Sequence, residues 1–109
     1  MNKEQVKTYC LSLENSYLDT PFDFKTEVIR HRGNNKMFVL FCSPDERPSI
    51  NLKCDPLEAQ FLRSVYEEVI PGYHMNKRHW LTILLDGSVR DAQVLDFLDM
   101  SYDLIDGSK

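Results

Sequence analysis

The stretch Met37-Phe38-Val39-Leu40-Phe41-Cys42 is an unbroken apolar run with turn-forming residues on both sides. It is too short for a helix and suits a central strand of a sheet. Gly33-Asn34-Asn35 precede it, residues that tolerate the positive φ of a tight hairpin turn. Ser43-Pro44-Asp45-Glu46-Arg47-Pro48 follow it as a turn cluster, after which Ile50, Leu52 and Cys54 alternate with Asn51 and Lys53. That alternation predicts a further strand with one face in water. The chain is therefore committed to an antiparallel sheet near its middle, and the remaining elements must cover it.

The flanking segments supply the cover. Asn2 with Gln5 forms a capping-box pattern, and Val6, Tyr9, Cys10 and Leu13 recur at helical spacing, predicting a first helix that ends near Glu14. Asn15 to Pro21 is polar and reads as a loop leading past Phe22 and Phe24 to a strand over roughly Lys25 to His31. Asp55-Pro56-Leu57-Glu58 opens a second helix, with Leu57, Phe61, Leu62 and Val65 expected inward and an end near Glu68. Val69 to Tyr73 predicts a short edge strand, and Trp80 to Leu85 a stronger one stopped by Asp86-Gly87. Ser88 with Asp91 begins a last helix, which buries Val94, Leu95, Leu98, Tyr102 and Ile105, leaves Asp96, Asp99, Asp103 and Asp106 solvent-facing or lateral, and ends at Gly107. The fold class is α+β, a two-layer arrangement in the order α-β-β-β-α-β(-β)-α. Its antiparallel sheet has four or five strands, with the helices on one face.

At 109 residues the chain suits one domain spanning 1–109, with a core that needs neither metal nor crosslink. Cys10, Cys42 and Cys54 are odd in number and have no C-x-x-C spacing, so they read as buried thiols of a reducing compartment. No apolar run approaches a membrane span and the N-terminus does not resemble a signal peptide, which predicts a cytoplasmic protein without membrane contact. The formal net charge is −4, so nucleic-acid binding would depend on local clusters of cations.

The densest chemistry lies in Pro71-Gly72-Tyr73-His74-Met75-Asn76-Lys77-Arg78-His79-Trp80. The pattern His74-x-Asn76-Lys77-x-His79-Trp80, followed by a strand ending in Asp86-Gly87, resembles the MmcQ/YjbR family of small bacterial proteins. The run Ser49-Ile50-Asn51-Leu52-Lys53-Cys54-Asp55-Pro56 resembles the same family's passage from third strand to helix. This resemblance implies an α-β-β-β-α-β-β-α fold with a five-stranded antiparallel sheet, similar to CyaY and to type III secretion chaperones and described as a double wing. It also implies DNA binding, the label the family often carries.

The residues fit that implication in part. Lys77 and Arg78 suit phosphates, Asn76 a base edge or phosphate, and Trp80, Tyr73 and His79 offer stacking faces, with His74 beside them. Two cations alone predict a salt slope of only about −1.8, so Arg30, Arg32, Lys36 and Lys53 would have to join the surface. The structural alternatives are a core role for Trp80, a turn role for Asn76 and hydrogen-bonding roles for His74 and His79. His31, between Arg30 and Arg32, adds only charge at low pH. No catalytic motif occurs and the histidine spacing is not that of a helical zinc pair, so no enzyme activity, metal or cofactor is expected. The rival expectation is a chaperone-like adaptor that binds another protein.

Overall fold

In a computed structural model the described residues are 1–87 and 89–106. The N-terminal capping box forms: Asn2 Oδ1 accepts from the Gln5 amide at 2.8 Å and Gln5 Oε1 from the Asn2 amide at 2.9 Å. It opens α1 (Lys3–Ser12), whose Val6 and Cys10 are buried. The strands are β1 (Ser16–Asp19), β2 (Val28–His31), β3 (Met37–Cys42), β4 (Ser49–Lys53), β5 (Val69–Pro71) and β6 (Trp80–Leu84). With α2 (Pro56–Val65) and α3 (Asp91–Asp106) they build a six-stranded antiparallel sheet in the order β1-β2-β3-β4-β6-β5.

The expected strand count was short by β1. Asn15 to Pro21 reads as a loop because only Tyr17 and Leu18 are apolar there, yet Ser16 to Asp19 pair with His31 to Val28. The free edge of β2 satisfies the backbone of β1, which propensity does not reveal. Asn15 at φ 64 makes the sharp entry, and its carbonyl accepts from the Arg32 amide at 2.7 Å. The strand expected from Lys25 starts only at Val28, because the Asp23 carboxylate captures the amides of Lys25 and Thr26. In the β2–β3 turn the positive φ belongs to Asn35 rather than to Gly33.

Register assigns the two faces. Ile29, Val39, Phe41, Ile50, Leu52, Leu81 and Ile83 share one face and form the core with Val6, Cys10, Ala59, Leu62, Val94, Leu98 and Ile105 of the helices. Between Ile29 and Arg30 the pairing skips Phe38, a β-bulge that lets Phe38 reach Tyr102 of α3 edge-on at 5.3 Å. Ser101 ties α3 to the sheet, donating to the Phe38 carbonyl at 2.6 Å and accepting from the Lys53 amide at 2.9 Å.

Both outer helices depart from expectation. In α2, Asp55 caps as predicted, accepting from the Leu57 amide at 3.1 Å, and the helix ends at Val65 rather than Glu68. Its buried residues are Ala59 and Leu62, while Leu57, Phe61 and Val65 are exposed at 79%, 62% and 53%. The four apolar residues span more of the helix circumference than one sheet edge covers, so only one side is buried. In α3 Phe97 joins the core, Leu95 and Tyr102 are only partly buried, and Asp106 turns inward. The predicted Ser88 cap and Gly107 stop lie outside the described residues.

Candidate functional site

Among the described residues the second face of the sheet carries no helix. Its middle row runs Val28, Leu40, Asn51, Thr82 and Ile70. Asn51 was expected in water and is fully buried, as is Thr82. The segment between β5 and β6 folds over them. Asn51 Nδ2 donates to the Tyr73 carbonyl at 2.9 Å, the Tyr73 amide donates to Thr82 Oγ1 at 2.8 Å, and Thr82 Oγ1 donates to Asn51 Oδ1. Every polar group in this closed set has a partner, as burial demands.

Gly72 permits the fold-back. A Cβ there would stand 2.8 Å from Trp80 Cβ and 2.9 Å from the Trp80 carbonyl oxygen, which instead accepts from the Gly72 amide at 3.1 Å. His74 takes φ 58 and packs edge-on against Tyr73 at 4.1 Å. The chain then returns through Asn76, whose Oδ1 accepts from the Arg78 amide at 2.9 Å and whose carbonyl accepts from the Trp80 amide at 3.0 Å. Asn76 therefore spends its side-chain oxygen and its carbonyl on its own turn. Trp80 is 8% exposed, but the register sets it on the helix-free face with Thr82 rather than in the helix-side core expected for it; with the Lys53 ammonium 5.9 Å from its ring centre it offers no free stacking face. His79 is exposed, and its carbonyl accepts from the Cys54 amide at 2.7 Å.

The motif thus divides into two surfaces. Tyr73, His74 and Met75 reach over the sheet and, with Phe22, Thr26, Leu40, Phe41, Cys42 and Ser43, line a cleft of about 520 Å³. Lys77, Arg78 and His79 stay at the sheet end where β6 begins. The pairing Lys53↔Trp80 brings the end of β4 to that place, and Arg30↔Met37 brings the β2–β3 turn to the same end. Arg30, Arg32, Lys36, Lys53, Lys77 and Arg78 therefore follow one rim, across about 14 Å at ~4.8 Å per strand from β2 to β6. Several of them are partly engaged. Arg30 binds Asp19 at 2.9 Å and the Asn35 carbonyl at 2.7 Å, Lys77 the Gly72 carbonyl at 2.9 Å, and Arg32 lies 5.1 Å from the Tyr17 ring centre. Arg63 of α2 reaches the Lys77 carbonyl at 3.5 Å and adds charge beside them.

A family model described as YjbR matches residues 11–104. The chain belongs to the YjbR family. It is 31% identical over 102 residues to the uncharacterized protein YjbR of Escherichia coli K12, covering 94% of this chain and 85% of that one. To the uncharacterized protein YbdF of Escherichia coli O157:H7 it is 30% identical over 95 residues, covering 87% and 78%. A Deinococcus radiodurans crystal structure with a DUF419 domain superposes with TM-score 0.85 at 31% identity, covering 98% of this chain and 80% of that one. A Pseudomonas syringae crystal structure gives TM-score 0.86 at 29% identity, covering 95% and 98%.

This YjbR-family chain also holds a buried histidine whose structural weight the sequence hid. His31 is 6% exposed; its Nδ1 accepts from the Gly33 amide at 3.0 Å, so Nε2 carries the proton toward Asp106 Oδ1 at 2.8 Å. A Cβ on Gly33 would meet the ring at 3.0 Å, and Asn34 Nδ2 donates to the Ile105 carbonyl at 2.7 Å at the end of α3. The only sequence signal was its place one residue past Arg30 on the alternating β2, which puts it on the helix side. Burial raises all three thiols, Cys10 to about 12 and Cys42 and Cys54 to about 11, a setting for protonated, unreactive sulfur. Among the described residues no group of His, Cys, Asp or Glu is placed to hold a metal, and no helix is long and apolar enough to cross a membrane.

Proposed function

We propose that this chain is a non-catalytic, cytoplasmic nucleic-acid-binding protein that holds a polyanion weakly along the basic rim of its sheet, as the DNA-binding label of a CyaY-like, double-wing protein implies. The observation that carries the reading is the strand register, which aligns Arg32, Lys36 and Lys53 with Lys77 and Arg78. These cations come from three separate stretches of sequence, and a net negative chain gathers them along one edge only through that alignment. With Trp80 covered and Asn76 committed to its turn, the edge meets phosphates without reading bases, so sequence preference is slight. If each of the named cations neutralises one phosphate, the logarithmic salt slope is about −4.5, at about 0.9 per phosphate on duplex DNA.

Fluorescence anisotropy with a labelled duplex between about 50 and 200 mM salt tests this. Lys53→Ala with Arg78→Ala lowers the magnitude of the slope by about 1.8. Lys25→Ala with Arg47→Ala, away from the rim, leaves it unchanged. A slope indifferent to the first pair removes the reading.

A second reading, the chaperone-like adaptor, is favoured by one observation, the exposed stripe Leu57, Phe61 and Val65 on α2. An unpartnered apolar helix face suits a partner helix or strand. Its mark is a nuclease-insensitive co-purifying protein that the Leu57→Glu, Phe61→Ser variant no longer retains.

A further inference from the structure

The cleft on the helix-free face lies toward the far end of β3 from the basic rim and shares with it only the segment between β5 and β6. Its floor is Leu40 and Cys42, and its walls are Phe22 and Thr26 on one side and Tyr73, His74 and Met75 on the other. The volume of about 520 Å³ falls in the range that encloses a small organic ligand. The walls are fixed before any ligand arrives. Asn51 and Thr82 hold Tyr73 from below, Cys42 Sγ donates to Asn51 Oδ1 at 3.6 Å, and Asp23 ties the Thr26 amide and hydroxyl at 2.6 and 2.8 Å. Phe22 remains 62% exposed and Tyr73 41% exposed, a large apolar surface left in water beside a preformed hollow.

The polar groups at one end are donors. Ser43 lines the cleft, and its hydroxyl oxygen accepts from Lys3 Nζ at 2.9 Å, which leaves the hydroxyl proton free to donate. The carboxylates of the neighbouring segment are already used. Asp23 serves its own turn, and Glu27 is paired with Lys7 at 2.9 Å. An apolar hollow whose lining Ser43 hydroxyl is backed by the Lys3 ammonium at 2.9 Å complements a molecule with an aromatic or alkyl body and an anionic head.

We propose that the cleft between residues 20–27 and 72–79 binds a small amphipathic carboxylate, its apolar body over Leu40 between Phe22 and Met75 and its head at Ser43 and Lys3. The probe is 4-phenylbutyrate, with 4-phenylbutanol as the neutral match, followed in amide NMR spectra of the full chain. Saturable shifts are expected at Phe22, Thr26, Cys42, Ser43 and Tyr73 to Met75. Lys3→Ala weakens the carboxylate about tenfold and leaves the alcohol unchanged, because only the charged head loses a charge-assisted bond. Met75→Trp, at a partly exposed wall position, blocks both probes while the melting temperature is kept. Shifts that never saturate, shifts centred on α2, or equal loss of both probes on Lys3→Ala would overturn the proposal. DNA binding at the rim is read separately in the same variants, so either site can fail without the other.

Discussion

Gly72, Trp80 and Asn51 decide the shape of the motif, and each works by contact rather than by its own propensity. Gly72→Ala inserts a methyl where only 2.8 Å separates the position from Trp80 Cβ, so β5 and β6 must part. The expected cost is about 1–3 kcal/mol, read as a lower urea midpoint at unchanged slope. Trp80→Ala empties a site only 8% exposed and is expected to cost about 3–5 kcal/mol; an unchanged melting temperature would contradict the anchoring role. Asn51→Ala leaves the Tyr73 carbonyl and the Thr82 hydroxyl short of a partner at about 1–3 kcal/mol each. Amide exchange should then quicken at Tyr73 before it quickens in β3, since the network holds that segment down.

At the scale of elements, α2 separates periodicity from burial. Its apolar residues at 57, 61, 62 and 65 read as a buried helix, but β5 is a three-residue strand and the helix covers it with Ala59 and Leu62 alone. Leu57→Lys is therefore expected to change stability by less than about 0.5 kcal/mol, where Leu62→Ala should cost about 2–5 kcal/mol, both measured by chemical denaturation. Helix α1 is the opposite case. Its capping box is written in Asn2 and Gln5 and forms as written, so Asn2→Ala should remove about 1 kcal/mol. Strand β1 has no such local signal and exists because β2 has an edge to fill.

For the whole molecule, the titrating groups displaced upward make folding sensitive to alkali. Hydrogen bonding to Asp99, then burial, raises Tyr9 to about 12, burial raises Cys10 to about 12 and Cys42 and Cys54 to about 11, and the Glu27 hydrogen bond raises Lys7. Each holds its proton more tightly when folded than when unfolded. Their contribution is complete below the unfolded values, 9.0 for the thiols and 10.0 for Tyr9, and is lost as pH rises through the folded ones. Stability should hold from neutrality to about pH 9 and fall between about 9 and 12, with Tyr9→Phe flattening the upper part of that fall. Equilibrium denaturation across that range checks the sign.

Local chemistry written in consecutive residues was legible: the Asn2 and Asp55 caps, the β3 run, the stop after β6 and the MmcQ/YjbR pattern around residues 74–80. Those features depend on neighbours within a few positions, where periodicity and capping act. What lay beyond the sequence depends on residues brought together from afar. The burial of Asn51 follows from a segment more than twenty positions later folding over it, and the pairing of His31 with Asp106 from the place where α3 ends. The basic rim exists because four antiparallel strands and a turn bring their cations to one end of the sheet. The sequence by itself determined every helix and every strand but β1, and which family they belong to. Only the tertiary structure decided which apolar residues face water and which charges stand together, because both follow from strand register and from what each face is packed against.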